Sequence, residues 1–320
     1  MRRLMDESAE RGGIENLDFA AIVGPTASGK SGLAIELAEV LGAEIISCDS
    51  QYVYRRLDVG TAKPSADELA RVPHHLVNVC EPTEQLSAGD YVRLAGAAIR
   101  NIRRRGRRVI VVGGTGLWLR ALIYGVIDVP EAVPEIREAL RREMESRGRE
   151  AMFARLQDID PEAAAAIDRN NGVRIVRALE LFQLTGTRPS ELWARHAFRQ
   201  PLWRVRVFGL NPPRERLYER IEERTRQMFQ SGLLEEARAL AADGLAEAAA
   251  VKRAIGYPQA MAAVRGEMSV EAAIQETAKL SRHYAKRQWT WFRAEKAVEW
   301  LESWDAAGAL TEVLAKIGTV

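Results

Sequence analysis

The chain has 320 residues, 47% of them hydrophobic, enough for one large domain or two smaller ones around an ordinary packed core. A net charge of +2 is too small to name nucleic acid as a partner from the total alone, and two cysteines, Cys48 and Cys80, are too few for a disulfide framework or a zinc site, which suits a reducing compartment. The first eighteen residues are charged and lack the apolar stretch of a signal peptide, and no apolar run approaches the ~18–20 residues of a membrane span, so the expectation is a cytoplasmic protein with no membrane partner and a disordered tail over 1–18.

The pattern predicts a strand over Phe19–Val23, then a glycine-rich loop, then a helix whose apolar positions Leu33, Ala34, Leu37, Ala38 and Leu41 recur at helical spacing. Glu44–Ser47 reads as a second strand ending at Cys48-Asp49-Ser50, and a helix is expected over 88–104. Val109–Val112 reads as a third strand, closed by Gly113-Gly114-Thr115-Gly116 and followed by the apolar helix Leu117–Tyr124. Apolar strands alternating with helices mean a parallel sheet with ligands at its carboxyl ends, an α/β class. From about Val126 the pattern turns to Ala-, Arg- and Glu-rich helix with no strand until Trp203–Phe208, which is expected to rejoin the sheet; a helix over 213–230 and further long helices then run to the end. The expected organisation is a core of 19–123 and 201–320 interrupted by a helical domain over 124–200.

Between the first strand and its helix, Gly24-Pro25-Thr26-Ala27-Ser28-Gly29-Lys30-Ser31 fits the spacing G-x-x-x-x-G-K-[ST] in full. Its N–H groups and the following helix N-terminus turn positive dipole toward an anion; Lys30 adds a point charge, and the Ser31 hydroxyl can ligate Mg²⁺. The loop binds a di- or triphosphate. Asp49 and Thr115 fall just past neighbouring strand ends, which puts them at the same site by topology. His74-His75 resembles a metal pair, yet adjacent strand residues point to opposite faces and no further His or Cys supports them, so a hydrogen-bonding role is expected.

A small-molecule kinase is the ordinary owner of such a loop, but two stretches argue otherwise. One is the dense polar and aromatic run Asp49–Arg55 with Asp58–Pro64. The other interleaves cations with rings: Lys286-Arg287-Gln288-Trp289-Thr290-Trp291-Phe292-Arg293. Bases of single-stranded RNA stack on such rings while phosphates pair with Lys and Arg; the bland alternative is an amphipathic helix, and one ring is expected in the core with the cations facing a partner. The block Arg103-Arg104-Arg105 with Arg107-Arg108 reads by itself as a solvated face.

With these segments in hand the chain resembles the bacterial tRNA dimethylallyltransferase (tRNA isopentenyltransferase) family. Gly24–Ser31, Asp49–Arg55, Asp58–Pro64, Pro73-His74-His75-Leu76, Gly113–Leu117, Arg174-Ile175-Val176-Arg177-Ala178-Leu179-Glu180, Ile255-Gly256-Tyr257 and Ala285–Arg293 occur in the family's order across nearly the whole chain. The resemblance implies a P-loop that holds the leaving group of dimethylallyl diphosphate and not ATP, with Mg²⁺ at Ser31, and transfer to N6 of the adenine at tRNA position 37. It implies Asp49 as general base, Thr115 at the target adenosine and Arg224 on the diphosphate; Asp49 as a turn cap, Thr115 as a partner of the glycine turn and Arg224 as a surface cation paired to a glutamate stay open beside these. The family's tRNA contacts map onto Asp49-Ser50-Gln51-Tyr52, Thr115, Arg137, Val173-Arg174-Ile175-Val176-Arg177, Arg253-Ala254-Ile255-Gly256-Tyr257-Pro258 and the run Lys286–Arg293. Arg174 and Arg177, three apart on one helix, could face the anticodon stem-loop together, with the helical insertion clamping the far side of the stem; the expected assembly is a monomer. Asn78, Trp118 and Asp168-Arg169-Asn170-Asn171 depart from the family pattern. The rivals are an adenylate isopentenyltransferase acting on free nucleotides, a P-loop kinase, and a non-catalytic RNA-binding module.

Overall fold

A computed structural model of the chain describes residues 16–127, 129, 133–196 and 200–318. Strand β1 (Phe19–Val23) is buried along its whole length and feeds a glycine loop and helix α1 (Lys30–Leu41), which stops where Gly42 turns left-handed at φ 60°. Then come β2 (Ala43–Ser47), α2 (Ala66–Arg71), β3 (His74–His75), α3 (Ala88–Arg104), β4 (Arg108–Gly113) and α4 (Gly116–Tyr124). Helices α2 and α3 each start in a capping box, Ser65 with Glu68 and Ser87 with Asp90, which satisfies two of the N–H groups a helix start leaves bare. A run of helices follows: α5 (Pro134–Ile159, broken at Gly148), α6 (Pro161–Ala166), α7 (Gly172–Thr185) and α8 (Pro189–His196). The chain returns to the sheet with β5 (Val205–Gly209), then α9 (Arg214–Gln230), α10 (Leu233–Ala242), α11 (Ala249–Arg253), α12 (Tyr257–Val264), α13 (Val270–Ala294), β6 (Val298–Trp300) and α14 (Ala306–Ile317).

The six strands form one sheet in the order β3-β2-β4-β1-β5-β6, and every pairing is parallel. Alternate residues Ala20, Ile22, Ile45, Ile110 and Phe208 pack with Leu33 and Leu37 of α1 and Val313 of α14 in one core, while Phe19, Ala21, Ile46, Val111 and Val207 are buried too. A sheet covered on both faces explains why its strands read as continuous apolar runs. The return of the chain to the sheet beyond Trp203 is as expected, by pairing of β5 with β1. Edge strand β3 is the His74-His75 pair itself, whereas edge strand β6 was not expected; at three residues it is too short for any alternation to show. Residues 1–15 of the expected tail lie outside the described residues, but Leu17 packs on the core and the Asp18 amide donates to Arg204 O at 2.8 Å, so order begins before Phe19.

By its contacts the chain divides after Ile123 and again after Pro201, leaving Tyr124–Pro201 as a compact helical unit. That unit has its own core, built on Leu140, Met152, Leu156, Ile175 and Leu179. The arginine block on α3 and β4 is largely spent within the fold: Arg105 grips Glu44 with both terminal nitrogens, at 2.5 and 2.7 Å, and Arg103 pairs with Asp18.

Ile45 is fully buried in the second strand, paired with His74 on one side and Ile110 on the other. Ile45→Ala is expected to destabilise the core by about 2–5 kcal/mol, through lost transfer energy and the cavity left behind, read as a lower urea midpoint at unchanged m-value.

Candidate active site

Parallel pairing brings three strand ends to one edge. Val23 of β1 lies opposite Gly113 of β4, and Val112 of β4 opposite Ser47 of β2, so the glycine loop, the Gly113–Gly116 turn and Cys48-Asp49-Ser50 leave the sheet side by side. The loop closes on itself through Ser28 N donating to Pro25 O at 3.2 Å, and it uses left-handed backbone at Ala27 (φ 63°) and Gly29 (φ 94°). Lys30 is buried, with Nζ donating to Pro25 O at 3.2 Å. Burial above all lowers its pKa to about 8; the charge of Asp49 opposes that shift and the cation of Arg224 adds to it. Ser28 Oγ is fully buried without a hydrogen-bond partner.

For a metal, the donors are sparse and hard. Ser31 is half-buried, within hydrogen-bonding reach of the Tyr52 phenol. Among the described residues no group of three or more His, Cys, Asp or Glu could hold an ion by itself. Mg²⁺, which keeps several waters and takes one or two protein oxygens plus substrate phosphate oxygens, fits such a set. The histidine pair is engaged elsewhere: His75 Nε2 lies 2.8 Å from Glu44 Oε2 and His74 Nδ1 2.7 Å from Val72 O.

Asp49 and Thr115 are locked into this edge by their neighbours. One oxygen of Asp49, Oδ1, accepts from Gln51 N at 2.9 Å. The Thr115 hydroxyl accepts from Ser50 N at 3.0 Å, while Thr115 N donates to Cys48 O at 3.2 Å. Asp49 therefore makes the turn bond that its alternative reading anticipated, whereas the Thr115 hydroxyl serves the Asp49 strand end and not the glycine turn. Asp49, Ser50, Gln51, Thr26 and Ala27 line a cavity of about 230 Å³. Tyr284 lines it too, near Thr115; burial first, then the charge of Asp49, pushes its phenol above the ordinary value.

The far wall comes from α9 and α13. Arg224 reaches the cavity and donates to Thr61 O at 3.2 Å, so it is held by a backbone carbonyl and not by a glutamate. Arg220, one turn earlier and absent from the expected site, lays Nη1 3.4 Å from Ser28 O. Thr61, Thr225, Thr277, Ser281 and Tyr284 also line the cavity and went unanticipated. A signal for three of them exists: Thr277, Ser281, Tyr284 and Gln288 follow one another at spacings of four, three and four, a polar stripe along one face of α13.

Several expected tRNA contacts turn out to be interior. Gln288 is buried, accepting from Thr26 N at 2.7 Å and donating to Gly114 O at 2.9 Å. Two rings, not one, serve the core: Trp289 packs with Leu217 and Ile221, and Phe292 is fully buried. Trp291 lies against Gly116, where a side chain could not fit, with the Arg120 guanidinium 4.7 Å above it. Lys286, Arg287, Thr290 and Arg293 remain on the exposed side of α13. In the other stretch Arg253 is exposed, Ile255 and Pro258 are half-buried, and Ala254, Gly256 and Tyr257 are buried. Tyr257 donates to Glu236 at 2.8 Å, and the same carboxylate accepts from the backbone of Asp58, Val59 and Gly60. That pattern holds the loop bearing Thr61 against Arg224.

Within the helical unit, Val173 is 82% exposed at the start of α7 beside exposed Arg174, whereas Ile175 and Val176 belong to the core. Arg174 and Arg177 do not present a matched pair: Arg177 lies 2.9 Å from the buried carboxylate of Glu180, and Arg137 reaches the same group at 3.0 Å. The departures from the family pattern have local uses. Asn78 Oδ1 accepts from Lys63 at 2.6 Å, Trp118 stacks on Tyr91 at 4.5 Å, and Asn171 caps α7.

A parallel sheet with a phosphate loop at its switch point, a carboxylate beside it and two arginines on the facing helix defines a P-loop-type transferase. The family model described as IPP transferase matches residues 52–295, and the chain belongs to that family. It is 52% identical over 280 residues to a tRNA dimethylallyltransferase of Anaeromyxobacter sp. (strain Fw109-5), covering 88% of this chain and 93% of that protein. It is 49% identical over 290 residues to the corresponding protein of Myxococcus xanthus (strain DK1622), covering 91% and 94%. Among solved structures, the tRNA isopentenylpyrophosphate transferase of Bacillus halodurans superposes with a TM-score of 0.68 at 38% identity, covering 93% and 96% of the two chains. A eukaryotic dimethylallyltransferase acting on tRNA gives 0.80 at 26% identity, covering 93% and 77%.

Two expectations follow. Free enzyme loses the Lys30 proton as pH rises through about 8, whereas an anion in the loop favours the charged amine. Diphosphate binding should therefore weaken above that pH and take up a proton there, measured by titration calorimetry in buffers of different ionisation enthalpy. Arg137→Ala removes one of two counter-ions from Glu180 and should destabilise the chain by about 1–3 kcal/mol, seen in thermal unfolding.

Proposed function

We propose that this chain transfers the dimethylallyl group of dimethylallyl diphosphate to N6 of adenosine 37, beside the anticodon of tRNA, giving N6-dimethylallyladenosine and diphosphate. The observation that carries this reading is one cavity lined by Arg224 and the phosphate loop on one side and by Asp49 on the other, with Lys30 within the charge of both Asp49 and Arg224.

The chemistry asks for that division. An exocyclic adenine amine is a poor nucleophile, but C1 of an allylic diphosphate gives up its C–O bond readily once the departing charge is neutralised. Lys30, the loop N–H groups and Arg224 stabilise that charge as it develops, in a site where burial makes each contact stronger than in water. Bound Mg²⁺, held by Ser31 and the diphosphate oxygens, would add Lewis-acid neutralisation of the leaving group. As N6 bonds to C1, the electron pair of the C–O bond leaves with diphosphate, and N6 sheds one proton to Asp49. Gln51 N–H occupies one lone pair of Asp49 and leaves others for that proton. Tyr284 lines the adenine side, with Thr115 beside it.

The target base must leave the anticodon loop to reach C1, which costs a few kcal/mol that contacts to the emptied loop offset. Lys286, Arg287 and Arg293 on the outer side of α13, with Arg253, offer cations to RNA phosphates; Val173 and Arg174 offer a second contact, on the helical unit. A free nucleotide needs neither surface, which favours tRNA over AMP, and a tRNA substrate fits a cytoplasmic enzyme. No helix among the described residues is long and apolar enough to cross a membrane.

The deciding experiment incubates the enzyme with labelled dimethylallyl diphosphate, Mg²⁺ and either unmodified tRNA or AMP. Label is expected in tRNA; label in AMP would make the chain an adenylate isopentenyltransferase, and ATP turnover without prenyl transfer a kinase. Asp49→Ala should lower turnover ~10²–10⁴-fold while tRNA affinity changes by less than about threefold. Equal losses in both would make Asp49 a binding residue only.

A further inference from the structure

Gln288 stands in a run whose cations face outward, yet its amide faces inward, only 5% exposed. Its two ends are used by two different loops. Oε1 accepts from Thr26 N of the phosphate loop at 2.7 Å, and Nε2 donates to Gly114 O at 2.9 Å. Thr26 N–H can only donate and Gly114 C=O can only accept, so the amide orientation is dictated by its partners. From Gly114 the chain of bonds continues: Thr115 N to Cys48 O at 3.2 Å and Ser50 N to Thr115 Oγ1 at 3.0 Å. One side chain thus joins the anion cradle to the turn carrying Thr115, and through it to the strand end carrying Asp49.

We propose that Gln288 is a positioning residue that sets the distance between the diphosphate cradle and the Asp49–Thr115 pair, and is not a tRNA contact. The inference rests on the reaction assigned above, in which a displacement needs donor carbon and attacking nitrogen within about 3–3.5 Å of each other and a 1 Å misplacement costs ~10²-fold in rate. The amide supplies what each loop needs: an ionised carboxylate has no donor for Gly114 O and a lysine no acceptor for Thr26 N–H. The support behind it is stiff, because Trp289 and Phe292 anchor the same helix in the core. Because Thr26 N–H points at Gln288, the side chain shapes the cradle as well as holding it.

Gly114 provides the test. A Cβ there would fall on the Gln288 amide, whereas the next neighbour outside that side chain, Gly24 O, is at 3.6 Å, an ordinary contact. Gly114→Ala therefore acts through Gln288. Gln288→Ala and Gly114→Ala are each expected to lower kcat ~10²-fold with the Kd for tRNA unchanged, and the double variant should fall no further than either single one. Gln288→Met, which keeps the bulk but neither bond, should match Gln288→Ala and guards against simple loss of packing. Amide hydrogen exchange at Thr26 should speed up in Gln288→Ala and Gln288→Met. Weakened tRNA binding with kcat intact, additive losses in the double variant, or unchanged Thr26 exchange would each overturn the assignment. If the wild-type enzyme failed to prenylate tRNA, the reaction assigned above would fall, while Thr26 exchange would still decide the tether.

Discussion

The site depends on one constraint, the parallel pairing of β1 with β4 and of β4 with β2. With all strands running the same way, their carboxyl ends emerge together, and the segments that follow each strand are forced into contact. A phosphate loop, a carboxylate and a threonine separated by up to 91 positions in sequence, from Gly24 to Thr115, then meet at one edge of the sheet. The buried apolar faces of the sheet bring the three segments together, and hydrogen bonds such as Ser50 N to Thr115 Oγ1 then fix the polar edge.

Burial then sets the chemistry. Lys30 is an ordinary lysine in composition, but the packing of the loop strips its water and brings its pKa down toward neutral pH. The same packing leaves Ser28 Oγ without a protein partner and turns Tyr284 into a phenol that holds its proton. Water-poor surroundings strengthen every interaction with an anion placed there, which is what a departing diphosphate, gaining a further negative charge as the C–O bond breaks, requires.

Helix α13 shows how one element serves two purposes. Its inner stripe of Thr277, Ser281, Tyr284 and Gln288 closes the cavity and ties its loops, its rings anchor it to the core, and its remaining face carries Lys286, Arg287 and Arg293 into solvent. The helical unit follows a similar logic on a smaller scale. Arg137 and Arg177 neutralise a buried glutamate, an arrangement in which loss of one partner is expensive, and the exposed Val173 and Arg174 are left as its outward features.

Much of this was legible in the amino-acid order. The phosphate loop is a local structure, its ligands all within eight residues, so its motif and flanks are enough to place it. The buried strands announce themselves as apolar runs, and Asp49 and Thr115 follow from standing just past two of them. What the order of residues could not decide was direction: which of Lys286 to Arg293 point inward, that Arg224 rests on Thr61, that Tyr257 serves Glu236, or that β3 and β6 extend the sheet. A helix period says which residues share a face but not which face is buried, and bonds such as Thr26 to Gln288, 262 positions apart, exist only once the core has closed and brought their partners within reach.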